Sequence, residues 1–162
     1  MEKLKSRKEL RIKEYDYSQE GYYFITICTN NRENILSKIV YNEIRNEAKI
    51  QLTEEGRIIE KRIKVTNEKD KNIFINSYVI MPNHVHMIIE NNGSSRAPTP
   101  TNSVIPKFVS GFKRLTNKEY EKNIWQRNYY EHIVRNEKEY YEIQEYIELN
   151  PLKWEKDIYF SI

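Results

Sequence analysis

A chain of 162 residues is long enough for one domain with a real core. Charged residues make up 31% of it and its apolar runs are only a few residues long, which excludes a bilayer-spanning helix. The single cysteine, Cys28, excludes an internal disulfide and any cysteine-based zinc site, and a net charge of +3 permits a nucleic-acid partner without demanding one.

Residues 1–14 read as a basic arm, with Lys3, Lys5, Arg7, Lys8, Arg11 and Lys13 against Glu2, Glu9 and Glu14. The arm has no apolar stretch of the kind a secretory signal needs, so a cytoplasmic location is expected. The first strand candidate runs from Tyr22 to Thr29, β-branched and aromatic, and Asn30-Asn31 closes it. Ile44, Ala48, Leu52, Ile59 and Ile63 recur at helical spacing and predict one long helix, interrupted near Glu55-Gly56. Two strands follow, Ile73 to Met81 and His84 to Glu90, and the turn signal Pro82-Asn83 predicts an antiparallel hairpin.

Residues 91–103, NNGSSRAPTPTNS, read as a mobile surface loop. Ser103 then predicts the cap of a second helix, with Pro106 in its first turn and Ile105, Phe108, Phe112 and Leu115 as its buried stripe. Tyr129 to Val134 predict another strand. Asn136 with Glu139 three residues on predicts a capping box opening a helix over 136–150, which Pro151 ends. The order β-α-β-β-α-β plus one more helix predicts an α+β domain spanning 1–162. Its expected architecture is the ferredoxin-like four-stranded antiparallel sheet, with two helices on one face. The other face is left free of those two helices and can host a site.

Two of the chain's three histidines fall in one predicted strand, as NHVH. Residues two apart on a strand share a face, so His84 and His86 project together while Val85 points the other way. Two imidazoles on one face can share a divalent metal, and they can equally be strand histidines hydrogen-bonded to neighbours. On the last helix Tyr140, Ile143 and Ile147 make a core stripe, and Tyr146 and Asn150 stack at i and i+4 on its flank. That edge offers a phenol beside an amide oxygen, a donor suited to a hard cation.

The motif MPNHVHMII resembles the His-hydrophobic-His signature of the HUH single-tyrosine transposases. The later run IWQRNYYEHIVRNEKEYYEIQEYIELNPLKW resembles the C-terminal half of the REP-associated tyrosine transposase subgroup, so the likeness covers about Tyr22 to Trp154. The resemblance implies that Tyr146 is the nucleophile, with His84, His86 and Asn150 as ligands of Mg²⁺ or Mn²⁺. It implies nicking and rejoining of single-stranded DNA, at hairpin-forming repeats, through a 5′-phosphotyrosine link, by a monomer or homodimer. Tyr129, Tyr130, Tyr140 and Tyr141 are the rival nucleophiles. His132, on another strand and far from the pair in sequence, reads as a structural or DNA-contacting residue rather than a ligand.

Lys107, Gly111, Arg114 and Lys118 predict a basic strip along the second helix. Arg127, Arg135 and the basic arm can extend it, and Trp125, Tyr129 or Tyr130 can stack on unpaired bases. Each of these also has a plain reading as part of a solvated face. Two other function classes fit the pattern: a hairpin-binding protein of the same fold without chemistry, and a metallohydrolase using water at the histidine pair.

Overall fold

The structure is a computed structural model that describes residues 20–93 and 104–160. The expected basic arm, most of the expected loop and the Ser103 cap lie outside the described residues. Strands β1 (Gly21–Cys28), β4 (Ile73–Ile80), β5 (His84–Asn91) and β6 (Tyr130–Val134) form one sheet in the order β4-β5-β1-β6. Every neighbouring pair is antiparallel. With the crossovers made by α1 (Glu54–Lys69) and α2 (Val104–Tyr120), this is the ferredoxin-like arrangement expected from the sequence.

Side-chain alternation splits the sheet into two faces. Tyr23, Ile25, Ile27, Val85, Met87 and Ile89 pack with Ile59 and Ile63 of α1 and with Ile105, Val109 and Phe112 of α2. Phe24, Ile88, Val79 and Met81 face the other way, toward Ile147 of α3 (Glu137–Leu149), Trp154 and Tyr159. A bulge between Ile75 and Ser77 switches the alternation within β4. Before it, Ile73 and Ile75 face the two crossover helices; after it, Ile80 does, and Val79 and Met81 turn to the α3 side.

The single long helix expected from Ile44 to Ile63 is not formed. Its first half is the turn and second strand of a β-ribbon, β3 (Glu47–Leu52) paired with the preceding β2 (Ser37–Asn42), and the helix begins only at Glu54. Asn42 Oδ1 accepts the Arg45 N–H, and Asn46 takes a left-handed φ of 50°, which turns the chain back on itself. Ile44, supposed part of a buried stripe, sits in that turn 98% exposed. Thr53 supplies the true cap, its Oγ1 accepting the Gly56 N–H at 3.1 Å.

The stripe on α2 also differs from expectation. Ile105, Val109, Phe112 and Thr116 are the buried positions, whereas Phe108 and Leu115 lie at its margins. A buried threonine escapes a search for apolar spacing; Thr116 satisfies its hydroxyl with the Phe112 carbonyl and the Trp125 indole.

Gly56 marks where α1 meets the ribbon. A Cβ there would lie 2.1 Å from the Leu36 carbonyl oxygen, whereas one at Gly111 on α2 meets nothing within 4 Å. Gly56→Ala is therefore expected to destabilise the fold by about 1–3 kcal/mol through overpacking. Gly111→Ala should stabilise it by about 0.8–1 kcal/mol through helix propensity. Urea unfolding of the two variants checks the contrast.

Candidate active site

The site is built where β5 leaves its hairpin. Met81 N–H donates to the His84 carbonyl and closes the Pro82-Asn83 turn, so His84 and His86 begin β5 opposite Cys28 and Thr26 of β1. Both imidazoles lie on the α3 side, and both are buried, at 0% and 1% exposure. Their Nε2 atoms face each other at 3.0 Å.

The outer nitrogens are held by neighbours. Asn83 donates its amide to the carbonyls of Arg32 and Tyr159, so its Oδ1 is the atom that meets His84 Nδ1 at 2.8 Å. An amide oxygen only accepts, which places the His84 proton on Nδ1 and leaves Nε2 with a free lone pair. His86 Nδ1 meets Thr26 Oγ1 at 2.7 Å, and a hydroxyl serves either tautomer. Without a cation, one proton on His86 Nε2 joins the two rings. Burial first, then the neighbouring ring, holds His86 well below the usual imidazole range. Burial likewise pushes His84 down to about 3, opposed by the nearby Asn150 side chain.

Helix α3 brings the phenol. Asn136 Oδ1 accepts the Glu139 N–H, as its spacing predicts, and Glu139 turns back to accept the Arg135 N–H. Ile147 is buried against the sheet, which sets Tyr146 on the flank with its hydroxyl 3.4 Å from His86 Nε2. The ring is 40% exposed and meets Phe24 edge-on at 6.1 Å. Burial and then the charge of Asp157 raise the phenol to about 12.

Asn150 ends α3, 2% exposed, and its Oδ1 is buried without a hydrogen-bond partner among the described residues. A buried amide oxygen with no hydrogen-bond partner, beside two imidazole nitrogens of which one holds a lone pair and the other can release its proton, is a set of donors that could hold a cation. The ring spacing fits as well: two ligands about 2.1 Å from one ion and at right angles are about 3 Å apart. Asn83→Ala, which frees the His84 ring to rotate and change tautomer, should weaken divalent-cation binding by about 10–100-fold. Calorimetric titration with Mn²⁺ checks this.

Two participants come from the segment after α3. Asp157 Oδ2 accepts the Asn150 amide at 2.8 Å, and ligand-type atoms of His84, His86 and Asp157 lie within 4.8 Å of one another. Tyr159 lies across the pair, its ring centroid 4.5 Å from that of His84 and 5.8 Å from that of His86. Arg32 donates to the Ile158 carbonyl and sits over the Tyr159 ring. This tail has no periodicity to read; only Pro151, which turns it off the helix axis, hints at its return.

Comparison with known proteins shows what the chain as a whole is similar to. No family model matches the chain. An uncharacterized protein of Haemophilus influenzae is 36% identical over 170 residues, covering 93% of this chain and 91% of its own length. The REP-associated tyrosine transposase of Escherichia coli is 28% identical, covering 88% of this chain and 74% of its own. A solved REP-associated tyrosine transposase bound to a REP hairpin superimposes with a TM-score of 0.61 at 23% identity, covering 89% of this chain and 73% of its own. The chain is thus similar to REP-associated tyrosine transposases along most of its length.

Against that family background the other expected residues separate. Tyr130 lies on the site face, edge-on to Phe24 at 6.1 Å, and Arg135 is exposed where β6 leads into α3. Arg127 is exposed just after Gln126, whose N–H donates to the Cys28 carbonyl at the site end of the sheet. Lys107, Arg114 and Lys118 are exposed on α2, in the layer on the opposite side of the sheet. Trp125, expected to stack on bases, is instead a core residue: 2% exposed, its Nε1 donates to Thr116 Oγ1 at 2.7 Å. Tyr129 leans to the helix side, while Tyr141 is largely exposed on α3 away from the histidines. His132 hydrogen-bonds Glu139 and stands outside the cluster. Among the described residues no helix is long and apolar enough to cross a membrane.

Proposed function

We propose that this chain nicks and rejoins single-stranded DNA at hairpin-forming repeats, with Tyr146 as nucleophile and His84, His86 and Asn150 as ligands of Mg²⁺ or Mn²⁺. The observation that carries the reading is the Tyr146 hydroxyl 3.4 Å from His86 Nε2, at the edge of a buried donor set with one bare amide oxygen. The hairpin enters from the solved relative bound to a REP hairpin.

Tyr146 supplies the attacking oxygen. It loses its proton, forms a bond to phosphorus in line, and the bond from phosphorus to the 3′-oxygen breaks. The 3′-oxygen takes up a proton and leaves as a free hydroxyl, while the 5′ side stays joined to the tyrosine. The energy of the phosphodiester is kept in that link, so a second 3′-hydroxyl can reverse the step and join new ends. A divalent cation, when bound, supplies positive charge for the scissile phosphate and for the developing phenolate. His84 and Asn83 hold a lone pair in place, and Asn150 holds its oxygen beside it. Tyr159 must swing aside for a phosphate to reach the pair, because its ring lies over both imidazoles. Tyr130, Arg135 and Arg127 border the site and would meet unpaired bases and backbone. A stem contacting Lys107, Arg114 and Lys118 would have to reach around the sheet edge.

The covered histidines favour one further reading, a hairpin-binding protein without chemistry. End-labelled single-stranded hairpin DNA, incubated with Mn²⁺ and run on a denaturing gel, separates the two. A covalent protein–DNA band that disappears with chelator supports the enzyme, and binding without any band supports the silent binder. Cleavage without a band would point to water as the nucleophile and overturn the role of Tyr146.

A further inference from the structure

Among the described residues Asp157 is the one carboxylate grouped with the histidine pair, and its surroundings are unusual for a surface acid. It is part-buried and makes no ion pair with a described lysine or arginine. Its Oδ1 accepts the Tyr159 N–H and its Oδ2 accepts the Asn150 amide, both at 2.8 Å. The segment that carries it is pinned at both sides. Asp157 N–H donates to the Trp154 carbonyl, and the Tyr159 carbonyl accepts from Asn83, the same residue that orients His84. Asn83 therefore ties the histidine turn and the C-terminal segment into one unit.

This unit assembles four donors from three separate parts of the chain: two imidazole nitrogens, one bare amide oxygen and one carboxylate. Without Asp157 the set is neutral, and two neutral imidazoles with an amide hold a hard dication weakly. Each carboxylate oxygen accepts one hydrogen bond and retains lone pairs for a metal. With its amide donated to Asp157, Asn150 keeps Oδ1 buried beside His84 and Tyr146, without a geometric hydrogen bond among the described residues.

We infer that Asp157 is the charged ligand of the cation site, so that the segment after α3 supplies the site's only anionic donor among the described residues. The inference rests on the cation reading of the proposed function and adds a ligand that neither histidine motif nor helix spacing specifies. The site it completes has two nitrogen and two oxygen donors, a set suited to Mn²⁺ more than to Mg²⁺.

Calorimetric titration of the full chain with Mn²⁺, free of DNA, tests it. Asp157→Asn keeps the shape and an oxygen to accept the Asn150 amide, and removes only the charge. It is expected to weaken Mn²⁺ by about a hundredfold or more, beyond the usual effect of an outer partner. Glu155→Gln, exposed on the same segment, should bind as the unaltered chain does. At saturating Mn²⁺ the Asp157→Asn protein should still show histidine nitrogen couplings in electron spin-echo spectra, which establishes that its site is folded. Affinity for Asp157→Asn within about threefold of the unaltered chain overturns the inference and leaves Asp157 as a residue that merely orients Asn150. In that outcome, abolition of binding by His84→Ala would leave the cation reading standing. Failure of the unaltered chain to bind Mn²⁺ would remove both.

Discussion

Tyr146→Phe is expected to eliminate the covalent adduct and slow strand cleavage by about four orders of magnitude or more, the scale on which deleting a nucleophile acts. The substitution removes one oxygen and keeps the ring that packs against Phe24 and His86. The hydroxyl lies 3.4 Å from His86 Nε2 and near the Asn150 and Asp157 side chains, and losing contacts of this kind should cost the fold about 1–2 kcal/mol. Hairpin affinity should be unchanged, which separates chemistry from recognition. The phenol is hard to ionise as it stands, because burial and then Asp157 hold it near 12. Positive charge at the histidine pair offsets that carboxylate, so a chelator is expected to silence the unaltered chain as fully as the substitution does. Single-turnover cleavage on denaturing gels, with a melting curve for each protein, measures all of this. An adduct formed by Tyr146→Phe at an undiminished rate would exclude Tyr146. Tyr130, the other phenol packed edge-on against Phe24, would then be the next residue to substitute.

The parts of this site that were legible in the sequence are those governed by a local period. A two-residue repeat puts His84 and His86 on one face, and a four-residue step stacks Tyr146 over Asn150; the fold delivers both pairs to one place because β5 and α3 pack together. The same reliance on period misled the reading of residues 44–63. Ala48, Leu52, Ile59 and Ile63 happen to match helical spacing, yet the alternating burial along β3 is that of a ribbon, and Thr53 marks the real helix start. Asp157 and Tyr159 were out of reach for a different reason. Their position depends on the chain doubling back after Pro151 and on the hydrogen bond from Asn83, more than seventy residues earlier, to the Tyr159 carbonyl, and no local pattern encodes a contact of that span. Trp125 was misread because exposure cannot be judged from residue type, and its indole found a partner in Thr116 on α2.

Acid should unfold the cation-free protein within a pH window set by the two buried histidines. Both stay neutral in the folded state far below the usual imidazole value, because burial penalises the charged ring. In the unfolded chain each takes up a proton near pH 6.5. Below that value the unfolded state binds more protons than the folded one, so stability falls as pH falls, by about 1.4 kcal/mol per unit for each ring. Between pH 6.5 and pH 5 the pair together should remove about 3 kcal/mol, a large part of the roughly 5–15 kcal/mol that holds a domain together. Carboxylates act elsewhere on the scale. Glu119 and Glu139 are held below their ordinary value, so they contribute stability above about pH 4.5 and lose it only beneath. The interval from 5 to 6.5 therefore isolates the imidazoles. Urea unfolding across it should show a steep loss for the unaltered chain and about half that slope for His86→Gln, which keeps one titrating ring. Saturating Mn²⁺ should raise stability at pH 7 and lose that benefit toward pH 5, since protons compete for the same lone pairs. A flat profile between pH 5 and 6.5 in the cation-free protein would mean that the rings take up protons in the folded state, and a pair able to do so is too open to water to be the sealed donor set described above.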